Sequence, residues 1–546
     1  MMIRLIILIV SLNVIGAINS DEIPTVRTTD GLLRGKYMTS ENGRIFQAFL
    51  GVPFAAPPTG PLRFMPPQPH GKWDGIRDAI EEGKMCVQLK PGGDEDCLYL
   101  NVFTTEESKN RSLPVMVYIH GGGFYGGSAS IDSYGPEKFM DEDIVLVTIQ
   151  YRLGVFGFLS IEDSVMPGNQ GLKDQRLALQ WVQENIETFG GDPSKVTIFG
   201  NSAGSASVHL HMISLGSKDL FSRVISQSGT AFSAFAFSGK GTSRNITLIL
   251  AQTLQCPTNS SAEILHCLQN KSVDSIQREY SKLQHSSYKM RKVLFRPIVE
   301  VGSPHAFLTE NPLTTFSNKP WMVGIVQNEG LWKIHMPSLN ETIQFIKTEH
   351  KKFLQSILFF EDTTSQPNEI ADKIYDFYFK NSTTENDFVV SLEHVITDSY
   401  FFWPTFQALE RHEGLTYCYL FDHVGQHSIT ELFQAPKGFG VSHMDELLYL
   451  FPRKLFFPRE MNQEDTNISN LLIKLWVNFA KEGNPTPTAI SQSPQTVKDK
   501  QITWEPSVSG ELKFLKIQTN ALSMVKNVFP QRMNFWKQLP IWDKML

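Results

Sequence analysis

Two stretches of the chain change their hydrophobic pattern abruptly, and each change falls beside glycine. Residues 195–199, Lys-Val-Thr-Ile-Phe, form a short β-branched and aromatic run of strand length, while Ala203 to Leu210 carries small and then apolar residues at helical spacing. The junction, Gly200-Asn-Ser-Ala-Gly204, predicts a sharp strand-turn-helix with Ser202 at its apex. Upstream, Pro114-Val-Met-Val-Tyr-Ile119 is a continuous apolar run, the pattern of a strand buried on both faces, and it passes into His120-Gly-Gly-Gly-Phe124. A third apolar run, Tyr417-Cys-Tyr-Leu-Phe421, also reads as a strand. The first ten residues put Arg4 ahead of an apolar stretch that ends near Ala17, too short to span a bilayer.

That opening segment reads as a signal peptide over residues 1–20, cleaved between about Ala17 and Ser20. No later segment has the length and apolarity of a membrane span, and the end, Leu-Pro-Ile-Trp-Asp-Lys-Met-Leu, is neither a retention signal nor a hydrophobic anchor tail. Nothing in the 546 residues resembles a linker, repeat or charge block, so residues 21–546 are expected to form one domain. With 41% hydrophobic and 19% charged residues and a net charge of −6, the chain can bury a large core and has no electrostatic footprint for nucleic acid. A small molecule is the expected partner, and secretion the expected destination.

Cysteine usage agrees with an oxidising compartment. Cys86 and Cys97 share a spacing that Cys256 and Cys267 repeat, which predicts two small-loop disulfides, each worth roughly 2–3 kcal/mol. Cys418, left over within an apolar run, reads as a core thiol. Sequons at Asn110, Asn245, Asn259, Asn270, Asn340, Asn381 and Asn467 mark candidate glycosylation sites.

A serine between glycines at a strand end suits a nucleophile, because the strained turn lifts its hydroxyl clear of the sheet. The match is only moderately specific alone. Three glycines at the end of another strand strengthen it, since bare N–H groups can approach an oxyanion, each well-aimed donor contributing about 3–4 kcal/mol.

Several further motifs accompany these: Phe49-Leu-Gly-Val-Pro-Phe-Ala-Ala-Pro-Pro58, Leu62-Arg-Phe64, Glu95-Asp-Cys-Leu-Tyr-Leu-Asn101, Asn169-Gln-Gly-Leu-Lys-Asp-Gln175, Gly190-Gly-Asp-Pro193 and Ser226-Gln-Ser-Gly229. Together they resemble the type-B carboxylesterase and cholinesterase-like family, in order from about residue 24 to the end, most closely in its secreted insect members. The resemblance implies an α/β-hydrolase fold with a large, mainly parallel central sheet flanked by helices. Gly324-Ile-Val-Gln-Asn-Glu-Gly330 is similar to the family's acid motif and nominates Glu329; Gly440-Val-Ser-His-Met-Asp-Glu446 resembles its histidine motif and nominates His443. Ser202, Glu329 and His443 would then be the catalytic triad, with Gly122, Gly123 and Ala203 as the oxyanion hole.

Among 14 histidines, only the motif separates His443 from His423, which follows the third apolar run. His209 and His211 point to different faces of a helix and have no Cys or carboxylate partner at metal spacing, so no metal or cofactor is expected. Ser228 is either a hydrogen-bonding support behind the triad or a turn residue. Phe232, Phe235 and Phe237 stand where the family builds its acyl pocket, and Tyr400-Phe-Phe-Trp403 is a second aromatic cluster; either could be core. Cholinesterases hold a cationic alcohol with an aromatic residue in the first disulfide loop and an acid before the nucleophile. Here the loop lacks an aromatic and position 201 is Asn, which favours neutral carboxylic esters by about 1–2 kcal/mol for each missing contact. Juvenile-hormone esterases of the family usually carry Gln there, so Asn201 leans away from that role. A lipase would share this chemistry. Non-catalytic binding proteins of the family usually lose the serine or histidine and carry a membrane stalk.

Overall fold

The computed structural model describes residues 23–545 except 90–91, 106–111, 289–292, 303–304, 362, 453–456, 458–459, 489, 492–500 and 509. The expected signal peptide and the Asn110 sequon therefore lie outside the described residues. Eleven strands build one sheet: β1 (Lys36–Thr39), β2 (Ile45–Pro53), β3 (Tyr99–Thr105), β4 (Leu113–Ile119), β5 (Val145–Ile149), β6 (Gly191–Asn201), β7 (Arg223–Gln227), β8 (Trp321–Val326), β9 (Thr416–Asp422), β10 (Lys513–Gln518) and β11 (Ala521–Lys526). Their order is β11-β10-β9-β8-β7-β6-β4-β5-β3-β2-β1. From β10 across to β5 every neighbouring pair is parallel, whereas β11 and the β3-β2-β1 end are antiparallel. This is the α/β-hydrolase arrangement, a large mixed sheet with helices on both faces.

Period-two alternation explains why the parallel strands are apolar throughout. In β4, Val115, Val117 and Ile119 enter one core while Met116 and Tyr118 enter the other. Helices α1 (Gln170–Asn185) and α2 (Ala203–Ile213) cover the first face, and α4 (Gln463–Glu482) buries Leu472, Trp476 and Phe479 on the second. Helix α3 (Glu385–Thr397) continues into a π-helical segment, Asp398–Phe402, and lies over the turn that follows β8.

Both expected disulfides are formed, Cys86–Cys97 and Cys256–Cys267. Cys418 is buried in β9 beside Ser507 Oγ, and burial pushes its thiol up to about 12, so it is a core residue. Of the described sequons, Asn245, Asn259, Asn270, Asn340 and Asn381 are exposed; Asn467 is half-buried in α4.

Candidate active site

Four loops meet beyond the carboxyl ends of parallel strands, where open α/β sheets place their ligands. Ser202 follows β6, the glycine loop follows β4, Glu329 follows β8 and His443 lies in the long loop after β9.

Ser202 has φ 60° and ψ −120°, a conformation that an L-residue holds only when its surroundings enforce it. Its N–H donates to Gln227 O at 2.9 Å, so the β6–β7 ladder carries on into the turn. The two glycines of the motif serve close approach: a Cβ on Gly204 would sit 2.0 Å from Ile119 O, and one on Gly200 would meet the same oxygen at 2.5 Å. Thus α2 starts hard against the end of β4. The same packing brings the glycine loop to the serine, for a Cβ on Gly121 would lie 3.1 Å from Ser202 Cβ. Gly122 and Gly123 have φ of 113° and 61°, which turns the loop back and leaves their N–H groups, with that of Ala203 at the start of α2, outside any hydrogen bond among the described residues.

Glu329 is fully buried; its Oε1 accepts from Val326 N at 2.8 Å and its Oε2 lies 2.6 Å from His443 Nδ1. The carboxylate fixes the proton on Nδ1 and leaves Nε2, buried and without a partner, as an acceptor. The acid and histidine loops are also joined through their backbones, Asn328 N donating to Val441 O at 3.0 Å. His423 is engaged at both ring nitrogens, by Asp465 at 2.8 Å and Thr519 at 3.0 Å. His209 Nδ1 accepts from Ala231 N and His211 Nε2 pairs with Gln175 Oε1; burial holds both rings near a pKa of about 3, and no metal-holding cluster occurs among the described residues. Ser228 Oγ is buried without a partner, so it makes no hydrogen bond to the triad residues.

Of the three phenylalanines nominated for an acyl pocket, the structure brings Phe235 to the site. Its ring lies 5.9 Å from Phe401, which in turn lies 4.6 Å from His443. Phe232 and Phe237 are a correction: Phe232 packs against His209 and under the Arg411 guanidinium, and Phe237 stacks on Trp542, both in the core. The segment 230–237 runs through successive turns instead of a helix or strand, so its three rings leave in different directions, which composition alone does not show. Trp332, 5.7 Å from His443, and Tyr125, packed on Gly123, are aromatic walls that sequence reasoning missed; both sit within three residues of a recognised motif. Phe401 reaches the site because the π-helical turn advances its register.

Asn201 is the second correction. Its side chain turns away from the serine and donates to Glu446 Oε1 at 2.9 Å, with Gln227 Nε2 at 3.4 Å from the same oxygen. Burial, and then repulsion from Glu329, pushes Glu446 up to about 8, so it is neutral at pH 7. Asn201 therefore acts as a structural amide behind the serine turn. The argument against cationic alcohols shifts as well: aromatic faces are present, and what Asn201 withholds is a second negative charge beside that of Glu329.

A family model described as the carboxylesterase family matches residues 22–536. Among curated relatives, juvenile hormone esterase of Tribolium castaneum is 37% identical over 85% of this chain and 84% of its own length, and a carboxylic ester hydrolase of Bombus ignitus is 33% identical over 87% and 89%. A crystal structure of juvenile hormone esterase from Manduca sexta, with OTFP covalently attached, superposes with a TM-score of 0.83 at 27% identity, covering 96% of this chain and all of that one. With that coverage and this fold, the chain belongs to the carboxylesterase family and is a carboxylic-ester hydrolase.

Proposed function

We propose that the protein is a secreted serine carboxylesterase that cleaves neutral carboxylic esters through an acyl-enzyme on Ser202. The observation that carries this reading is the Glu329–His443 pair, which leaves a buried, unpartnered Nε2 among the loops that hold Ser202 and the glycine N–H groups. In the first half-reaction, Nε2 takes the Ser202 proton as Oγ bonds to the ester carbon. The carbonyl oxygen becomes an oxyanion facing Gly122, Gly123 and Ala203 N–H, and the imidazolium then protonates the departing alcohol. Water, deprotonated by the same nitrogen, attacks the acyl-serine and releases the acid. Glu329 keeps its charge throughout and stabilises the imidazolium.

Preference for neutral esters follows from Asn201 and an uncharged Glu446. An apolar lip of Met336, Leu432 and Phe433, each 41% exposed, adjoins Trp332 through Phe433 at 5.8 Å and favours a bulky apolar group on the ester. That lip, with the relatives' names, supports a hormone-esterase-like second reading; a lipase would also use it. Secretion rests on residues 1–20 and on the absence of a helix long and apolar enough to cross a membrane among the described residues. The single domain proposed for 21–546 is supported by one sheet drawing strands from Lys36 to Lys526.

The test is a kcat/KM profile across acyl length and alcohol size, with Ser202→Ala as the blank. We expect apolar neutral esters to exceed a choline ester of equal size by about ten-fold or more, the value of 1–2 kcal/mol of missing attraction. Equal rates for the cationic and neutral alcohols would refute the preference. A rate that rises only above the solubility limit of a long-chain ester would favour the lipase reading.

A further inference from the structure

Behind the acid turn lies a second buried carboxylate that the reaction does not consume. Glu393, 3% exposed in the last turns of α3, accepts a hydrogen bond from Thr397 Oγ1 at 2.5 Å, and the same Thr397 oxygen accepts from Gly330 N at 2.8 Å. The Asn328 side chain also favours its charged form, more weakly than Thr397 and Arg532 do. Glu393 thus reaches Gly330, the residue after Glu329, through one hydroxyl, and Asn328, the residue before it, stands close enough to favour its charge. Asn328 carries the connection onward, because its Oδ1 accepts from Val441 N at 3.3 Å in the histidine loop. Contact is close as well as polar, since a Cβ on Gly330 would lie 2.4 Å from Glu393 O.

We infer that Glu393 is a positioning residue, clamping the turn that carries Glu329 and, through Asn328, the loop that carries His443. The inference rests on the proposed triad. An ionised carboxylate accepts from Thr397 with full strength and favours the Asn328 amide beside it, whereas the acid form gives one oxygen to its own proton and weakens both. Burial raises Glu393 to about 7, so the clamp changes within the working pH range. The groups facing it are Arg532 from the helix Pro530–Lys537, which favours the charge, and Asp398, which opposes it. His394 Nε2 is 3.4 Å from Oε2 and is held neutral, at about 4, by burial; from the acid turn the charged neighbour is Glu329, itself paired with His443. Protonation should loosen the turn below neutral pH.

The experiment uses the full chain with Glu393→Gln, Thr397→Val and Thr397→Ser, active sites being counted by organophosphate titration. E393Q and T397V should each lower kcat for a nitrophenyl ester about ten-fold with KM within about two-fold, while T397S keeps at least about half of the wild-type kcat. The acid limb of log kcat against pH should be steeper than one proton in the wild type and fall to a one-proton slope in E393Q. A wild-type kcat and acid limb in E393Q would overturn the inference, as would T397S behaving like T397V. A wild-type protein that takes no organophosphate at Ser202 would remove the triad and this inference together; labelled wild type with unaltered variants removes the inference alone.

Discussion

At the level of single residues, the proposed reacting groups Ser202, Glu329 and His443 lean on side chains from distant parts of the chain. Ser202, Glu329 and His443 stand in short motifs whose glycines exist for backbone reasons, so the motif survives in one dimension. Glu446, Glu393 and Asn201 act through contacts that span 245 residues in one case, Asn201 to Glu446, and nothing local in the sequence announces them. Glu446 makes a prediction of definite sign. Its folded pKa, about 8, lies above its ordinary value of 4.5, so the native state binds the proton more tightly than the unfolded chain. Stability from this group is complete below about pH 4.5 and declines as pH rises towards 8. Glu446→Gln, which keeps the acceptor for Asn201 and cannot ionise, should lie within about 1 kcal/mol of the wild type at pH 5 and exceed it by on the order of 4 kcal/mol at pH 9. Denaturant midpoints at the two pH values check this, and an offset independent of pH would contradict it.

Among the elements, β4, β6 and β9 in the parallel centre of the sheet were readable because strands buried on both faces form short apolar runs. The antiparallel strands were not: β1 and β11 are mostly half-buried or exposed, and β2 and β3, though buried, interrupt their apolar runs with Gln47, Asn101 and Thr104. Nor was the π-helical segment Asp398–Phe402, since one extra residue in a turn leaves no compositional trace, yet it decides that Phe401 faces His443 while Phe402 packs on Phe529. The junction of β6 and α2 carries the strictest requirement. Adding one methyl as Gly204→Ala puts a carbon 2.0 Å from Ile119 O, and backbone there has no rotamer with which to yield. Separating helix from strand should cost ~3 kcal/mol and displace Ser202 and the Ala203 N–H together. Activity per folded molecule should fall by about 100-fold or more. Wild-type turnover in a folded Gly204→Ala protein would show that the close approach is dispensable.

For the molecule as a whole, the account is of one sheet whose carboxyl edge gathers four loops from residues 120 to 443 into one acyl-transfer site. The two small disulfide loops brace the body, and the first also reaches the site's edge: Gln88 Oε1 accepts from Gly127 N, and Leu89 N donates to Tyr125 O. Substrate identity was the least legible property, because the walls come from Tyr125, Phe235, Trp332 and Phe401 on separate elements. The central claim is that Ser202 is the nucleophile, and covalent capture tests it most directly. The secreted protein treated with a nitrophenyl organophosphate should gain one adduct, and peptide mass spectrometry should place it on Ser202, with none in Ser202→Ala and strongly slowed labelling in His443→Ala. An adduct on any other residue, or full-rate labelling of the Ser202→Ala chain, would contradict the account.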